Sequence, residues 1–227
     1  MPGRAERYPK RRSGSGRSAR SARDNIQEPP RSSTGQTTDN QSAPAPLEVD
    51  NLFVESIAIQ LRPLAADDWS AVHQWAQQPE VCRFQAWGPN TPEQTQTFTR
   101  LAADAWRHDP QLRFPFAVVV DDAVVGSAEL NLRGNRQGEI SYIVHPGFWG
   151  RGIATGATRE LLDMCFGQHE LHRVFATCDP RNAASARVLK KLGMTYEGRL
   201  RETTLIRDGW RDSDLYSILA HEQRPAT

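Results

Sequence analysis

The stretch that most constrains the fold of this chain is an apolar run that leads directly into a glycine-rich segment. Residues 139–145 read EISYIVH, and residues 147–157 read GFWGRGIATGA. From Ile153 onward, apolar residues recur at the spacing of one helix face, at Ile153, Ala157, Leu161, Leu162 and Cys165. The sequence therefore predicts a strand, a glycine-rich turn and a helix in succession, which is a unit of α/β folds.

Further helices and strands are predicted on both sides of this unit. Helix 91–108 has the clearest start, because Thr91 is a capping residue, Pro92 suits the first helical position and Gln94 completes a capping box. Asn182 starts a later helix, which Gly193 ends. A helix is also predicted over 66–78, and strands over 57–62, 116–120, 123–132, 139–145, 173–178, 195–206 and 210–219. This order predicts an α/β fold with one mixed sheet.

The first 50 residues differ in composition from the rest of the chain. Residues 1–46 hold almost no large apolar side chains and are rich in Arg, Ser, Gly and Pro. Such a segment cannot bury enough surface to offset the entropy lost on ordering, so we predict a disordered tail over 1–50. One folded domain over 51–222 and a short C-terminal tail over 223–227 complete the predicted organisation.

Charge and cysteine content argue against several classes of function. The formal net charge is +1, and since the tail is basic, the folded domain is close to neutral, which argues against specific nucleic-acid binding there. Cys82, Cys165 and Cys178 are widely spaced, so we expect neither disulfides nor a metal site, and a reducing, cytoplasmic location fits. No run of 18 apolar residues occurs, so we expect no membrane partner.

Two interpretations of the glycine-rich segment remain open on spacing alone. The first turn of a helix carries free amide groups and a positive dipole end, so Gly150, Gly152 and Ala154 would let a phosphate approach them. The alternative is a plain tight connection between strand and helix. A dinucleotide fingerprint is excluded because its third glycine would fall on Thr155, and no P-loop sequence is present.

Two motifs in the second half of the chain point to a known family. Gly152 and Ala154 match the last positions of the signature [Q/R]-x-x-G-x-[G/A], and residues 182–194 match N-x-x-S-x-x-V-x-x-K-x-G-[FM]. The chain thereby resembles the GNAT acetyltransferases, and most of all their Rim-type branch of ribosomal-protein N-terminal acetyltransferases. The resemblance implies a mixed, mostly antiparallel sheet with a V-shaped split between the fourth and fifth strands, flanked by about four helices.

The same resemblance implies where acetyl-CoA would bind as co-substrate, without a metal. The pantetheine would lie beside the fourth strand, and the pyrophosphate would lie on the amides of the glycine-rich turn. Asn182 and Ser185 match family positions near the pantetheine and the sulfur. The implied cofactor-binding residues are Tyr142, Ile143, Val144, Gly150, Arg151, Gly152, Ile153, Ala154, Thr155, Asn182 and Ser185. For Arg151, a side chain that only faces solvent is an equal alternative.

Acetyl transfer requires the amine to lose a proton and the leaving thiolate to gain one. Leu189 stands where many relatives have the proton-donating tyrosine, so Ser185 becomes the catalytic candidate near the sulfur. Its alternative is a helix serine bonded to the backbone. Glu139 is the candidate that accepts the amine proton, with an exposed strand-edge carboxylate as its alternative, and Glu202 is a second candidate.

The resemblance thus implies an acetyl-CoA-dependent N-acetyltransferase that transfers acetyl directly to a primary amine. A protein N-terminal α-amine is the first candidate acceptor, and a small amine such as a polyamine, an amino acid or an aminoglycoside is the alternative. A non-catalytic acyl-CoA-binding sensor is a third interpretation, because the family tyrosine is missing at Leu189. Residues 66–78, 91–108 and 206–211 are expected to line the acceptor pocket of a monomer or homodimer.

Overall fold

A seven-stranded sheet forms the centre of the protein in a computed structural model that describes residues 57–223. The strand order is β1-β2-β3-β4-β5-β7-β6, and every neighbouring pair is antiparallel except β4 and β5. The strands are β1 (Gln60–Pro63), β2 (Arg113–Val120), β3 (Ala123–Arg133), β4 (Gln137–Val144), β5 (Arg173–Cys178), β6 (Thr195–Ile206) and β7 (Gly209–Leu219). The predicted mixed, mostly antiparallel sheet is confirmed. The predicted tail over 1–50 and residues 224–227 lie outside the described residues.

Within the described residues, five α-helices flank the sheet. They are α1 (Trp69–Ala76), α2 (Pro79–Cys82), α3 (Pro92–Ala105), α4 (Ile153–Gly167) and α5 (Ala183–Lys191). The predicted capping box at α3 is present, with the Gln94 amide donating to Thr91 Oγ1 and the Thr91 amide donating to Gln94 Oε1. None of the described helices is long and apolar enough to cross a membrane.

The helix predicted over 66–78 is present over most of that range, as a 3-10 turn that leads directly into α1. Residues Ala66–Asp68 form a 3-10 turn, α1 follows, and α2 is a separate single turn. The Asp68 carboxylate accepts hydrogen bonds from the Ala65 amide and from Arg62 of β1, which fixes the 3-10 turn. Gln78 takes an extended conformation because the following Pro79 disfavours a helical one there, and this separates α2 from α1.

Two apolar cores lie on the two faces of the sheet, as the alternation of side chains along the strands requires. The larger core includes Ile140 and Val144 of β4 and packs beneath α4 and α5. The smaller core holds residues of α1, α3 and β2 and is contacted by Ile143 of β4. Adjacent residues of β4 therefore contribute to opposite faces of the protein.

The predicted split between the fourth and fifth strands is present and is sharply bounded. The β4–β5 ladder pairs only Gln137–Glu139 with Arg173–Phe175. Beyond it, β4 continues to Val144 while paired with β3, and β5 continues to Cys178 while paired with β7. Each strand keeps its outer partner, so the two diverge after Glu139 and leave a gap between their C-terminal halves.

Candidate active site

Backbone groups of β4 line one side of the gap. The amide of His145, the residue after β4, donates to the carbonyl of Val125 of β3 at 2.8 Å, which makes these two residues a hydrogen-bonded pair that continues the β4–β3 ladder. Such pairs alternate along an antiparallel ladder, so Ile143 also directs its amide and carbonyl toward β3, and Tyr142 and Val144 direct theirs toward the gap. Of the three strand residues expected at the pantetheine, Tyr142 and Val144 thus present backbone groups there and Ile143 does not.

The glycine-rich turn has the backbone conformation that its composition favours. Gly150 and Gly152 have φ of 78° and 81°, in the left-handed region, and Gly152 is the N-cap of α4. A Cβ at either position would meet no atom within 4 Å. Conformation, and not crowding, is therefore what requires glycine at these two positions.

The start of α4 presents amide groups that have no partner within the helix. The Gly156 amide makes the first intrahelical bond, to the Gly152 carbonyl, at 2.9 Å. The amides of Ile153, Ala154 and Thr155 precede that bond and belong to the free first turn of the helix. Ile153 is fully buried and anchors this end of α4 to the larger core. These amides and the dipole of a 15-residue helix suit an anionic group such as a pyrophosphate.

Arg151 lies between the two left-handed glycines and is exposed. Its guanidinium lies over the ring of Phe148, 5.2 Å from the centroid. The neighbouring Trp149 is also exposed, but its indole N–H donates to the Val144 carbonyl at 2.7 Å. The turn is thus connected back to the edge of the gap by a side chain at the position where the family signature has Gln or Arg.

Ser185 lies across the gap from β4, in the first turn of α5. The Ser185 amide donates to the Asn182 side chain at 3.0 Å, which confirms Asn182 as the helix N-cap. The Ser185 hydroxyl lies 2.9 Å from the Tyr142 hydroxyl, and the Tyr142 hydroxyl also donates to the Ser185 carbonyl at 3.2 Å. Two of the predicted site residues, one on each side of the gap, are therefore in direct contact.

Burial keeps the ionisable groups around Ser185 protonated. It raises the pKa of Tyr142 to about 12, although the hydrogen bond with Ser185 acts in the opposite direction. Burial, reinforced by the charge of Asp214, raises the pKa of the Cys178 thiol to about 11. Near neutral pH, Tyr142 is consequently a neutral hydrogen-bond donor and Cys178 is a poor nucleophile.

Glu139 lies at the point where the β4–β5 ladder ends. Its carboxylate oxygen Oε2 accepts two hydrogen bonds from Arg133, the shorter at 2.5 Å. Its side chain points to the face that carries α1 and α3, since Glu139 and Ile143 have the same parity along the strand. Glu139 and Ser185 are therefore on opposite faces of the sheet, with the gap between them.

Glu202, the second candidate for the base, lies elsewhere. It occupies an irregular stretch of the edge strand β6, where its φ is 48° and its amide donates to Asp212 Oδ1 at 3.0 Å. Strand β7 separates β6 from β5. The fold thus brings Ser185, Tyr142 and Glu139 to the gap but keeps Glu202 away from it.

Contacts that the sequence does not predict hold the β6–β7 hairpin in place. The Arg207 guanidinium donates to the carbonyl groups of Cys82, Trp87 and Gly88, in and after α2. Arg181 bridges Asp179, after β5, and Asp208, in the hairpin turn. These contacts place the hairpin turn against α2 and the residues after it, and the contribution of residues 206–211 to an acceptor pocket stays a prediction. No local pattern could show these contacts, because Arg207 and Cys82 are far apart in the sequence.

Comparison with known proteins agrees with this geometry. Residues 59–195 match the family model described as acetyltransferase (GNAT) domain. The uncharacterized N-acetyltransferase YnaD of Bacillus subtilis is 29% identical over 75% of this chain and 99% of its own length. The spermidine N(1)-acetyltransferase of Escherichia coli K12 is 28% identical over 73% of this chain and 88% of its own.

Among solved structures, RimJ of Mycobacterium smegmatis in complex with CoA-disulfide superposes with a TM-score of 0.67 at 26% identity. The match covers 76% of this chain and 86% of the RimJ chain. The family match spans more than half of the sequence and includes β4, the glycine-rich turn and α5. The chain is therefore an acetyltransferase and belongs to the GNAT family.

Proposed function

We propose that this acetyltransferase transfers the acetyl group of acetyl-CoA directly to the α-amine at the N-terminus of a polypeptide. The observation that carries the choice of acceptor is that three strand carboxylates, on the face of the sheet that holds α1 and α3, each have an arginine partner. Glu129 bonds to Arg113 at 2.8 Å, Glu139 to Arg133 at 2.5 Å, and Glu197 to Arg173 at 2.6 Å.

This pairing favours an acceptor that brings a single positive charge. A polyamine carries two or more cations, and binding them would require carboxylates that have no guanidinium partner. An N-terminal α-amine has an unperturbed pKa of about 8, so an appreciable fraction is already neutral near pH 7. The likeness to RimJ of Mycobacterium smegmatis supports this acceptor, and the likeness to a spermidine acetyltransferase makes spermidine the comparison that must be tested.

The cofactor would lie along the gap. The outward backbone groups of Tyr142 and Val144 would hydrogen-bond to the pantetheine amides, and the amides from Gly150 to Thr155 would bind the pyrophosphate. This arrangement directs the thioester toward the contact between Tyr142 and Ser185. Acetyl-CoA supplies the activated acyl group, and the residues of the chain hold and orient it.

Two side chains would act on the reacting groups, one as a proton acceptor and one as a hydrogen-bond donor. The carboxylate of Glu139 would accept the amine proton, directly or through water, from the α1–α3 face. The Ser185 hydroxyl would donate a hydrogen bond to the departing sulfur from the α5 side. No acyl-enzyme is needed, since Cys178 stays protonated near neutral pH.

Release of the CoA thiol tests this function. The acceptors are a peptide with a free α-amine and no lysine, the same peptide with its N-terminus acetylated, spermidine and an aminoglycoside. We expect release with the free peptide and background release with the other three. Faster turnover of spermidine would overturn the proposed acceptor. Acetyl-CoA binding with no turnover on any amine would instead support an acyl-CoA-binding sensor.

The same proposal includes the bounds of the domain, its cellular compartment and its oligomeric state. We propose that residues 51–222 are the acetyltransferase domain, with residues 1–50 and 223–227 as tails. The three cysteines are free and buried, which supports a reducing compartment, and we propose the cytoplasm. The expected oligomeric state is a monomer or a homodimer, and equilibrium sedimentation would distinguish the two.

A further inference from the structure

The contact between Tyr142 and Ser185 joins β4 to α5 at the end of the gap where the sulfur would lie. The two hydroxyl oxygens are 2.9 Å apart, and Ser185 accepts a second contact from Tyr142 at its own carbonyl, at 3.2 Å. The Ser185 amide is held by Asn182 at 3.0 Å. The position of Ser185 is thus fixed from both sides, whereas its hydroxyl proton can still rotate.

A structural role for Ser185 within its helix does not explain this arrangement. A first-turn serine commonly bonds to the backbone of its own helix. Within residues 57–223, the Ser185 hydroxyl contacts the Tyr142 hydroxyl across the gap between two elements, and the Cys178 thiol of β5 also hydrogen-bonds with Ser185. The Tyr142 ring packs against the larger core, so its hydroxyl is held at the end of a rigid side chain.

Two hydroxyl groups with one proton each can share this contact in two ways. In the first, the Tyr142 hydroxyl donates to the Ser185 backbone carbonyl, and the Ser185 hydroxyl donates to the Tyr142 oxygen. In the second, Tyr142 donates to Ser185 Oγ, and the Ser185 proton is free to point into the gap. Rotation about two C–O bonds interconverts them, with no movement of the heavy atoms.

We propose that Tyr142 is a positioning residue that directs the Ser185 O–H toward the leaving sulfur during acetyl transfer. This inference rests on the proposed function. As the bond from the amine nitrogen to the acetyl carbon forms and the carbon–sulfur bond breaks, the electron pair passes to sulfur. Ser185 donates its hydrogen bond to that developing thiolate while Tyr142 donates to Ser185 Oγ. Tyr142 keeps its own proton throughout, and the thiolate takes its proton from solvent after release.

A neutral tyrosine is suited to this role. With the pKa of Tyr142 raised to about 12 by burial, its hydroxyl remains a donor at any pH at which an α-amine is acylated. Donation to an oxygen makes that oxygen's own O–H a stronger donor, because hydrogen bonds in a chain polarise one another. In this proposal the pair performs the role of the family tyrosine, whose position in this sequence is Leu189.

A double-mutant cycle tests the inference. Tyr142→Phe, Ser185→Ala and the double variant are compared for kcat and for the KM of acetyl-CoA. We expect each single variant to lower kcat by about 10-fold, the value of one hydrogen bond made in the transition state, with KM changed by less than about two-fold. The double variant should be no slower than Ser185→Ala. Tyr216→Phe, at a buried tyrosine in the same core, is the matched control and should keep wild-type kcat.

Additive losses in kcat would overturn the inference, since Tyr142 would then act independently of Ser185. A second cycle, on the free energy of unfolding in urea, measures the hydrogen bond without any turnover. We expect non-additivity there as well, and additivity would overturn the inference whatever the activity. If the wild type itself acetylated no amine, the proposed function would fail. If the wild type were active and the kcat losses additive, only the role of Tyr142 would fail.

Discussion

The indole N–H of Trp149 donates a hydrogen bond to the carbonyl of Val144 across 2.7 Å, so the glycine-rich turn is tied to the edge of the gap by a side chain. Val144 is one of the β4 residues whose backbone groups face that gap. The indole is nevertheless 52% exposed. Trp149 therefore lies beside the proposed pantetheine while remaining sensitive to solvent.

Trp149 should report on cofactor binding. We expect the intrinsic fluorescence of the protein to change on titration with acetyl-CoA, because the bound cofactor alters the solvent around this indole. In Trp149→Phe most of that change should be lost. In Trp210→Phe, which removes an exposed tryptophan of the β6–β7 hairpin, the change should persist. An undiminished signal from Trp149→Phe would place the cofactor elsewhere.

Two substitutions at Gly152 separate the effect of charge on acetyl-CoA affinity from the effect of backbone strain. Asn tolerates the left-handed conformation better than most residues and has nearly the shape of Asp, so Gly152→Asn and Gly152→Asp form a matched pair. A carboxylate at the start of α4 would compete with the pyrophosphate for the free amides. Calorimetric titration should show acetyl-CoA affinity at least about 10-fold weaker in the Asp variant than in the Asn variant. Equal affinities would argue against a phosphate at this helix end.

The role proposed for Glu139 predicts a pH-dependent loss of activity. Glu139→Gln removes the proton acceptor, and kcat/KM for a peptide acceptor should fall about 10-fold at pH 7, where about one α-amine in ten is already neutral, with acetyl-CoA affinity unchanged. The deficit should shrink as the pH rises through about 8, because more of the α-amine is then already neutral. Glu202→Gln, on the edge strand, should keep wild-type rates at every pH. A deficit that stayed constant with pH would indicate a positioning role for Glu139.

The ion pair between Arg62 and Asp68 should stabilise the protein only while Asp68 is ionised. Burial acts to raise the pKa of Asp68, but the hydrogen bonds from Arg62 and the Ala65 amide outweigh burial and leave the pKa below its usual value. The stabilisation is thus fully present above the unfolded-state pKa of about 3.9 and is lost as the pH falls through the lower folded-state pKa.

Unfolding in urea measures this contribution. Asp68→Asn should lower the free energy of unfolding by about 1–2 kcal/mol at pH 7, and the difference from wild type should narrow in strongly acidic buffer. Asp67→Asn, at the exposed neighbouring position, should have little effect at either pH. An equal loss at neutral and strongly acidic pH would mean that Asp68 stabilises the turn through its shape and not its charge.

Sequence patterns predicted best those features that depend on neighbouring residues. Strand β5 matches its predicted bounds, the Thr91–Gln94 capping box is present, and Gly193 has the left-handed φ of 82° that ends α5. Each of these depends on a few adjacent residues, and a local pattern therefore carries enough information. The glycine-rich turn was recognisable for the same reason.

The features that were missed depend on residues distant in the sequence. The 3-10 turn at the start of the predicted helix 66–78 is held by Arg62 of β1, which pairs with Asp68. The contact of Tyr142 with Ser185 joins residues of β4 and α5 that are distant in the sequence and meet at the gap between β4 and β5. The Arg207 contacts with Cys82 of α2 and with Trp87 and Gly88 after it join residues that are far apart in the sequence. Periodicity contains no information about such pairs.

The position of the acetyl group on a peptide product tests the central claim most directly. A peptide with a free α-amine and one internal lysine would be incubated with acetyl-CoA and the wild-type protein, and the product would be sequenced by tandem mass spectrometry. We expect acetylation at the N-terminal nitrogen alone. Acetylation of the lysine side chain, or an unmodified peptide alongside acetylated spermidine in a parallel reaction, would contradict it.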